Sequence, residues 1–258
     1  MNNSLNDKKL KFQKGNAKLG KEIYTFSISS GWSCPFAKDC LSKADRVTGR
    51  ITDGPHTQFR CFSASQEALY PSVRNARWYN FELLRESLKE NNTSSPHVKC
   101  ITLILNSLPK KADIIRIHVG GDFFSQAYFD AWMAVARMKP GVIFYAYTKS
   151  IKFWVHRLGM IPSNFKLNAS YGGKDDGLIV SNQLKYAKVV YTVEEAEKLT
   201  LAIDHDDTHA YKSDDSFALL LHGVQAKGSI ASKALSVLKK AGIGGYGKQK
   251  ADRVMVGA

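Results

Sequence analysis

Apolar positions along this chain switch repeatedly between a period of two and a period near 3.6. The segment "EIYTFSIS" (22–29) alternates as a half-buried strand does. Residues 72–90 then place Val73, Ala76, Tyr79 and Leu83 on one helical face, with Ser72 as the expected cap. A second helix is predicted over 96–108, closed by Pro109. The alternation continues with a strand (113–119), a helix opened by Ser125 (125–138), a strand (142–148) and a short helix (150–158). It ends with strands at 164–170, 187–192 and 216–223 and helices at 193–203 and 228–242. Roughly six strand-plus-helix units of this kind pack as a parallel sheet with right-handed crossovers. Six are too few for a closed eight-stranded barrel. The expected fold class is therefore α/β, a partial, open parallel β/α barrel, with a doubly wound sheet as the alternative. One domain is expected over 22–245, with a cysteine loop at 30–66, a basic extension at 1–21 and a basic tail at 246–258.

Composition narrows the class. Of 258 residues, 44% are hydrophobic and 23% charged, which is the balance of a globular protein. No apolar run approaches the roughly 20 residues that cross a bilayer, and the polar start carries no secretion signal, so a cytoplasmic location is expected. The net charge is +14, and the excess gathers at the ends. Six lysines and one acid lie in residues 1–21, and seven bases and one acid follow Lys227 onward. Such ends are either solubilising or a nucleic-acid contact weakened by salt.

In both sheet arrangements functional groups belong at the carboxyl ends of the strands. That rule singles out the cysteines. Cys34 and Cys40 follow the first strand in "GWSCPFAKDC", and Cys61 returns in "HTQFRCFSAS". In a reducing compartment clustered thiols hold a metal more often than they form disulfides. Three thiolates suit a four-iron, four-sulfur cluster ([4Fe-4S]) with one open iron, or zinc with a histidine completing the set; unligated thiols are the third reading. His56 and His118 are the candidate fourth ligands, with His222 a further option for zinc. Cys100, inside "VKCITLIL", reads as core.

The other strand ends supply further candidates. "IHVGGDFFS" offers Gly120 and Gly121 for close backbone approach and Asp122 as a carboxylate, or else a plain strand-to-helix turn. Lys149 ends the next strand, Asn168 and Ser170 the one after, and His222 the last. Two clusters lie elsewhere. "IDHDDTHAYKSDD" (203–215) holds five aspartates and two histidines, either a solvated acidic loop or a divalent-metal nuclease site. "RNARWYNF" (74–81) interleaves arginines with aromatics, as single-strand binders do. On a helix, however, Trp78 and Phe81 are expected in the core, with Arg74 and Arg77 facing water.

Several long segments, among them "CPFAKDC", "DGPHTQFRCF", "ALYPSVRNARWYNFELL" and "IRIHVGGDFFSQAYFDAW", resemble the phage gene product 88 family over roughly residues 15–245. That resemblance implies a bacteriophage origin, hence a host cytoplasm, and implies no reaction. Some members end in a further cysteine-rich segment, whereas this chain has no cysteine after Cys100. The architecture is similar to that of radical S-adenosylmethionine enzymes. This second likeness implies a cluster on Cys34, Cys40 and Cys61 and an S-adenosylmethionine contact at Gly120, Gly121 and Asp122. The spread of the cysteines over twenty-eight positions departs from that pattern. Three functions follow as expectations: an iron–sulfur protein with a redox, structural or nucleic-acid-associated role; a radical enzyme modifying a nucleic acid or nucleotide; or a divalent-metal nuclease.

Overall fold

The computed structural model describes residues 7–16, 19–89 and 97–243. The expected basic tail therefore lies outside the described residues, and the N-terminal extension is described only in part.

Strand β1 (Phe12–Asn16) runs antiparallel to β2 (Gly20–Phe26). Five further main-sheet strands run parallel to β2: β5 (Ile114–Ile117), β6 (Ile143–Thr148), β7 (Phe165–Ser170), β8 (Tyr186–Val190) and β10 (Phe217–Leu220). The two-residue β9 (Ala202–Ile203) pairs with β10. The result is one eight-stranded, mostly parallel sheet in the order β1-β2-β5-β6-β7-β8-β10-β9. From β2 to β8 the parallel strands are thus neighbours in chain order, and the order reverses at the edge, where β9 runs parallel to β10 on its outer side. Right-handed crossovers carry the successive connections from β2 to β8 to one side of the sheet, and the reversal at β9 and β10 sends that connection to the other.

Period two then sorts the strand residues between two faces. Ile115, Ile117, Phe144, Ala146 and Leu167 join the main core. That core is filled from α2 (Pro71–Lys89), α3 (Val98–Ser107) and α4 (Gln126–Met138), including Leu84, Ile104 and a Trp132 side chain with no exposure. Cys100 sits there as expected. On the opposite face Ile23, Tyr145, Ala187 and Phe217 meet Ala210 and Tyr211 of the short helix α8 (Thr208–Lys212). Farther along the sheet the same face presents Arg116, Tyr147, Val189 and Leu219, which border a cavity.

Several boundaries differ from the sequence reading for identifiable reasons. The helix expected from Ser72 begins at Pro71, whose fixed φ and missing N–H suit a first helical position. It follows α1 (Phe62–Leu69) directly. The cysteine loop contains a small hairpin, β3 (Ser42–Ala44) with β4 (Ile51–Asp53), too short to register as a period. Two caps agree: Ser125 Oγ accepts from Tyr128 N, and Ser229 Oγ from Ser232 N at the start of α9 (Ile230–Lys240). The remaining connections are α5 (Ile151–Val155), α6 (Gly177–Ser181) and α7 (Val193–Lys198).

Candidate functional site

The cavity, about 170 Å³ in volume, opens where the parallel strands end. Each side of it comes from a strand terminus. Arg116 lies in β5, His118 and the Gly120–Asp122 turn follow it, Tyr147 and Lys149 close β6, Ser170 ends β7, and Leu221 and His222 follow β10. Cys34, Cys40 and Cys61 line it from the loop after β2. Most of the candidates picked by the strand-end rule thus share one wall. Val119, Val189, Leu219 and Leu220 make the apolar part.

Asp122 lines the cavity and is only 4% exposed. Its Oδ1 accepts from Phe123 N at 2.7 Å and Thr148 Oγ1 at 2.6 Å, and its Oδ2 from Lys149 N at 2.8 Å. A carboxylate offers about four acceptor positions, so one on Oδ2 is left over among these bonds. Burial lifts the carboxyl to about 6, against the pull of the Thr148, Lys149 and Phe123 donors. The group therefore exchanges its proton close to neutral pH. Lys149 is less available than expected. Its ammonium donates to Ser170 O (3.2 Å), Ser170 Oγ (2.7 Å) and Tyr171 O (2.7 Å), which uses its three protons to tie β6 to β7.

The three thiols are half-buried around the cavity and unpaired by disulfides. Burial raises all three, Cys61 to about 12. Asp122 adds to the rise at Cys34, while the Lys149 charge opposes it at Cys40. Among the described residues no three Cys, His, Asp or Glu side chains are grouped so as to hold a metal ion. This overturns the expected [4Fe-4S] centre on Cys34, Cys40 and Cys61. The thiols share a wall without converging on one coordination point. His56, expected as a fourth ligand, is exposed and absent from the cavity lining. His118 lines the cavity, but its Nε2 is engaged with Tyr128 Oη at 2.8 Å. With the cluster goes the premise of the radical chemistry and of its S-adenosylmethionine contact.

The remaining candidates divide. Burial takes His118 down to about 3, so the ring is neutral, and its Nδ1 is buried with no hydrogen-bond partner. His222 packs on Phe62 with ring centres 4.6 Å apart. Gly120 and Gly121 do line the cavity, yet their need for glycine comes from packing. A Cβ on Gly120 would lie 2.1 Å from Ser63 Oγ, and Gly121 has φ +89°. Asn168 is fully buried away from the wall, donating to Ala146 O and Ala210 O and so fastening α8.

Among the described residues the aspartate-rich stretch forms no group that could hold a metal ion, so the expected divalent-metal site is not formed there. Its carboxylates serve separate structural tasks: Asp207 pairs with Arg116 and accepts from Tyr145 Oη at 3.0 Å, and Asp206 accepts from Thr208 N. Arg74 and Arg77, expected in water, are 5% and 6% exposed. They turn inward because α1 lays carbonyls and the Glu67 carboxylate against that face of α2. Phe81 is core, and Trp78 packs against it. Sequence reasoning missed Arg116, Tyr147 and Asp207. The first two were readable as cavity-facing from strand alternation; Asp207 reaches the site only through the tertiary fold.

A family model described as gene product 88 matches residues 4–240. The chain belongs to the gene product 88 family. Among curated proteins it is similar to the Gene 88 proteins of Mycobacterium phages L5 and D29, each 28% identical over 137 residues. The matched segment is 52% of this chain and 51% and 50% of those relatives, so the chain spans about half their length. The bacteriophage origin expected from the sequence is supported by this family. No solved structure matches. No helix among the described residues is long and apolar enough to cross a membrane.

Proposed function

We propose that this gene product 88 protein takes a small polar molecule into the strand-end cavity and exchanges a proton with it through Asp122. The sheet is read as a half-barrel whose mouth is that cavity, since its parallel strands from β2 to β8 succeed one another in chain order. The observation that carries the reading is the carboxyl of Asp122, buried at the cavity wall with a spare acceptor position and a pKa of about 6. A carboxyl buried without an ion-paired partner is costly, and proteins keep such groups chiefly where a ligand uses them. Val189, Leu219 and Leu220 would cover the apolar part of the ligand, and Asp122 would receive its hydrogen-bond donor.

The test uses the intact chain and the small-molecule fraction of a deproteinised bacterial extract. Molecules retained by the protein after rapid desalting are identified by mass spectrometry, in parallel with a Leu219→Trp variant that fills the cavity. A compound held by the wild type and lost in Leu219→Trp supports the reading. Identical retention by both proteins, or none by either, overturns it.

A further inference from the structure

We infer that a second surface, where the cysteine loop meets α2, binds single-stranded nucleic acid. It rests on residues that the cavity does not use. Trp32, from the cysteine loop, is 46% exposed and lies 5.7 Å from Trp78 of α2, centre to centre. Cations stand over these rings. Lys43 Nζ is 4.8 Å from the Trp32 ring, and the Arg46 guanidinium is 5.0 Å from that of Trp78. The next residue of the same helix repeats the arrangement, with Lys11 Nζ 4.6 Å from Tyr79. Trp32 and Trp78, each attended by a base, thus adjoin where the cysteine loop meets α2, and Tyr79 with Lys11 occupies the neighbouring helical position.

Charge selects the partner. Of the α2 carboxylates Glu82 answers Arg46 and Glu86 answers Lys8, while Lys43 and Lys11 lie over π-faces. The attraction for polyanions on this surface comes from its own bases, Lys11, Lys43 and Arg46. Phosphate alone would require cations and no rings; a duplex would keep its bases stacked away from them. Unpaired bases use both. An exposed cation–π contact is weaker than a base stacked on an aromatic ring. A base therefore displaces the flexible lysine from the ring, and the displaced ammonium meets the adjoining phosphate.

The test is fluorescence anisotropy of labelled oligothymidylate with the full chain, across a salt series. Trp32→Ala is expected to weaken binding about tenfold, the loss of one base–aromatic stack, and Trp32→Phe to restore most of it. Lys43→Gln is expected to lower the slope of log K against log salt by about 0.7, as for one lost phosphate contact on a single strand. Should Trp32→Ala fail to fold, having lost its bond to Ala44 O, the Lys43→Gln slope decides. Wild-type affinity in both variants, or equal competition by duplex DNA, overturns the inference. So does sedimentation showing a dimer that Trp32→Phe or Lys43→Gln disperses, which would assign the surface to a second copy of the chain.

Discussion

Arg77 donates to Glu67 at 2.9 Å with both side chains almost wholly removed from water, 7% and 0% exposed. The pair joins α1 to α2 beneath the cavity. Arg77 also donates to Ser63 O and Gln66 Oε1, and Glu67 Oε1 accepts from Ser30 N and Ser30 Oγ at the end of the first parallel strand. One ion pair thereby anchors the cysteine-bearing loop to two helices.

Removing one member leaves the other charge buried alone. Glu67→Gln or Arg77→Met is expected to cost about 3–5 kcal/mol of stability. The double variant should recover part of that, because it strands no charge. Urea denaturation of the three variants measures the coupling; additive losses would show that the pair is not a unit.

Gly120 touches this same anchor. A methyl group there would lie 2.1 Å from Ser63 Oγ, 2.9 Å from Ser30 Oγ and 3.1 Å from Arg77 Cζ. Gly120→Ala is expected to destabilise by about 1–3 kcal/mol through overpacking. Shortening the nearest obstacle with Ser63→Gly in the same chain should return some of the loss. A Gly120→Ala variant that melts with the wild type would remove the packing account of this glycine.

How far the sequence carries can be judged on these residues. The alternation of "VIFYAYT" located β6 and, by its period, set Tyr147 on the face opposite Ala146. The strand-end rule then gathered Cys34, Asp122, Lys149 and His222 before any contact was known. Chemistry was less legible than position. Whether three thiols converge depends on the β3–β4 hairpin and the start of α1, whose geometry has no periodic signature. Arg77 looked solvent-facing because its inward partner, Glu67, lies on a helix too short to show a clear apolar stripe. Lys149 looked free because the carbonyls that occupy it belong to the end of another strand.

The thiols offer a kinetic measurement. With Cys61 raised from 9.0 to about 12, its thiolate fraction near pH 8 falls roughly a thousandfold below that of an unperturbed thiol. Cys34, Cys40 and Cys100 shift in the same direction. Alkylation by iodoacetamide in the native protein should therefore be slow at all four cysteines and become rapid in denaturant. Fast native labelling of Cys61, mapped by peptide mass, would contradict the burial that sets its pKa.

Asp122 and His118 impose opposite pH dependences on stability. Asp122 is raised in the folded chain from 3.8 to about 6, so the folded state binds its proton first. Its contribution is fully present below pH 3.8 and is lost as pH rises through 6, a total of roughly 3 kcal/mol. His118 is lowered from 6.5 to about 3, so the unfolded state binds that proton first. Its contribution is present above 6.5 and is lost on acidification toward 3, a total of roughly 5 kcal/mol. Between pH 4 and 6 the two slopes cancel, one proton against one. His118→Gln removes one side of the balance. Relative to wild type, the variant should gain about 1.4 kcal/mol for each pH step down across that window. Denaturation curves at pH 4, 5 and 6 compare the two proteins with all other groups held in common. Parallel profiles would mean that His118 titrates normally in the fold, and the neutral, buried ring at the cavity wall would have to be given up.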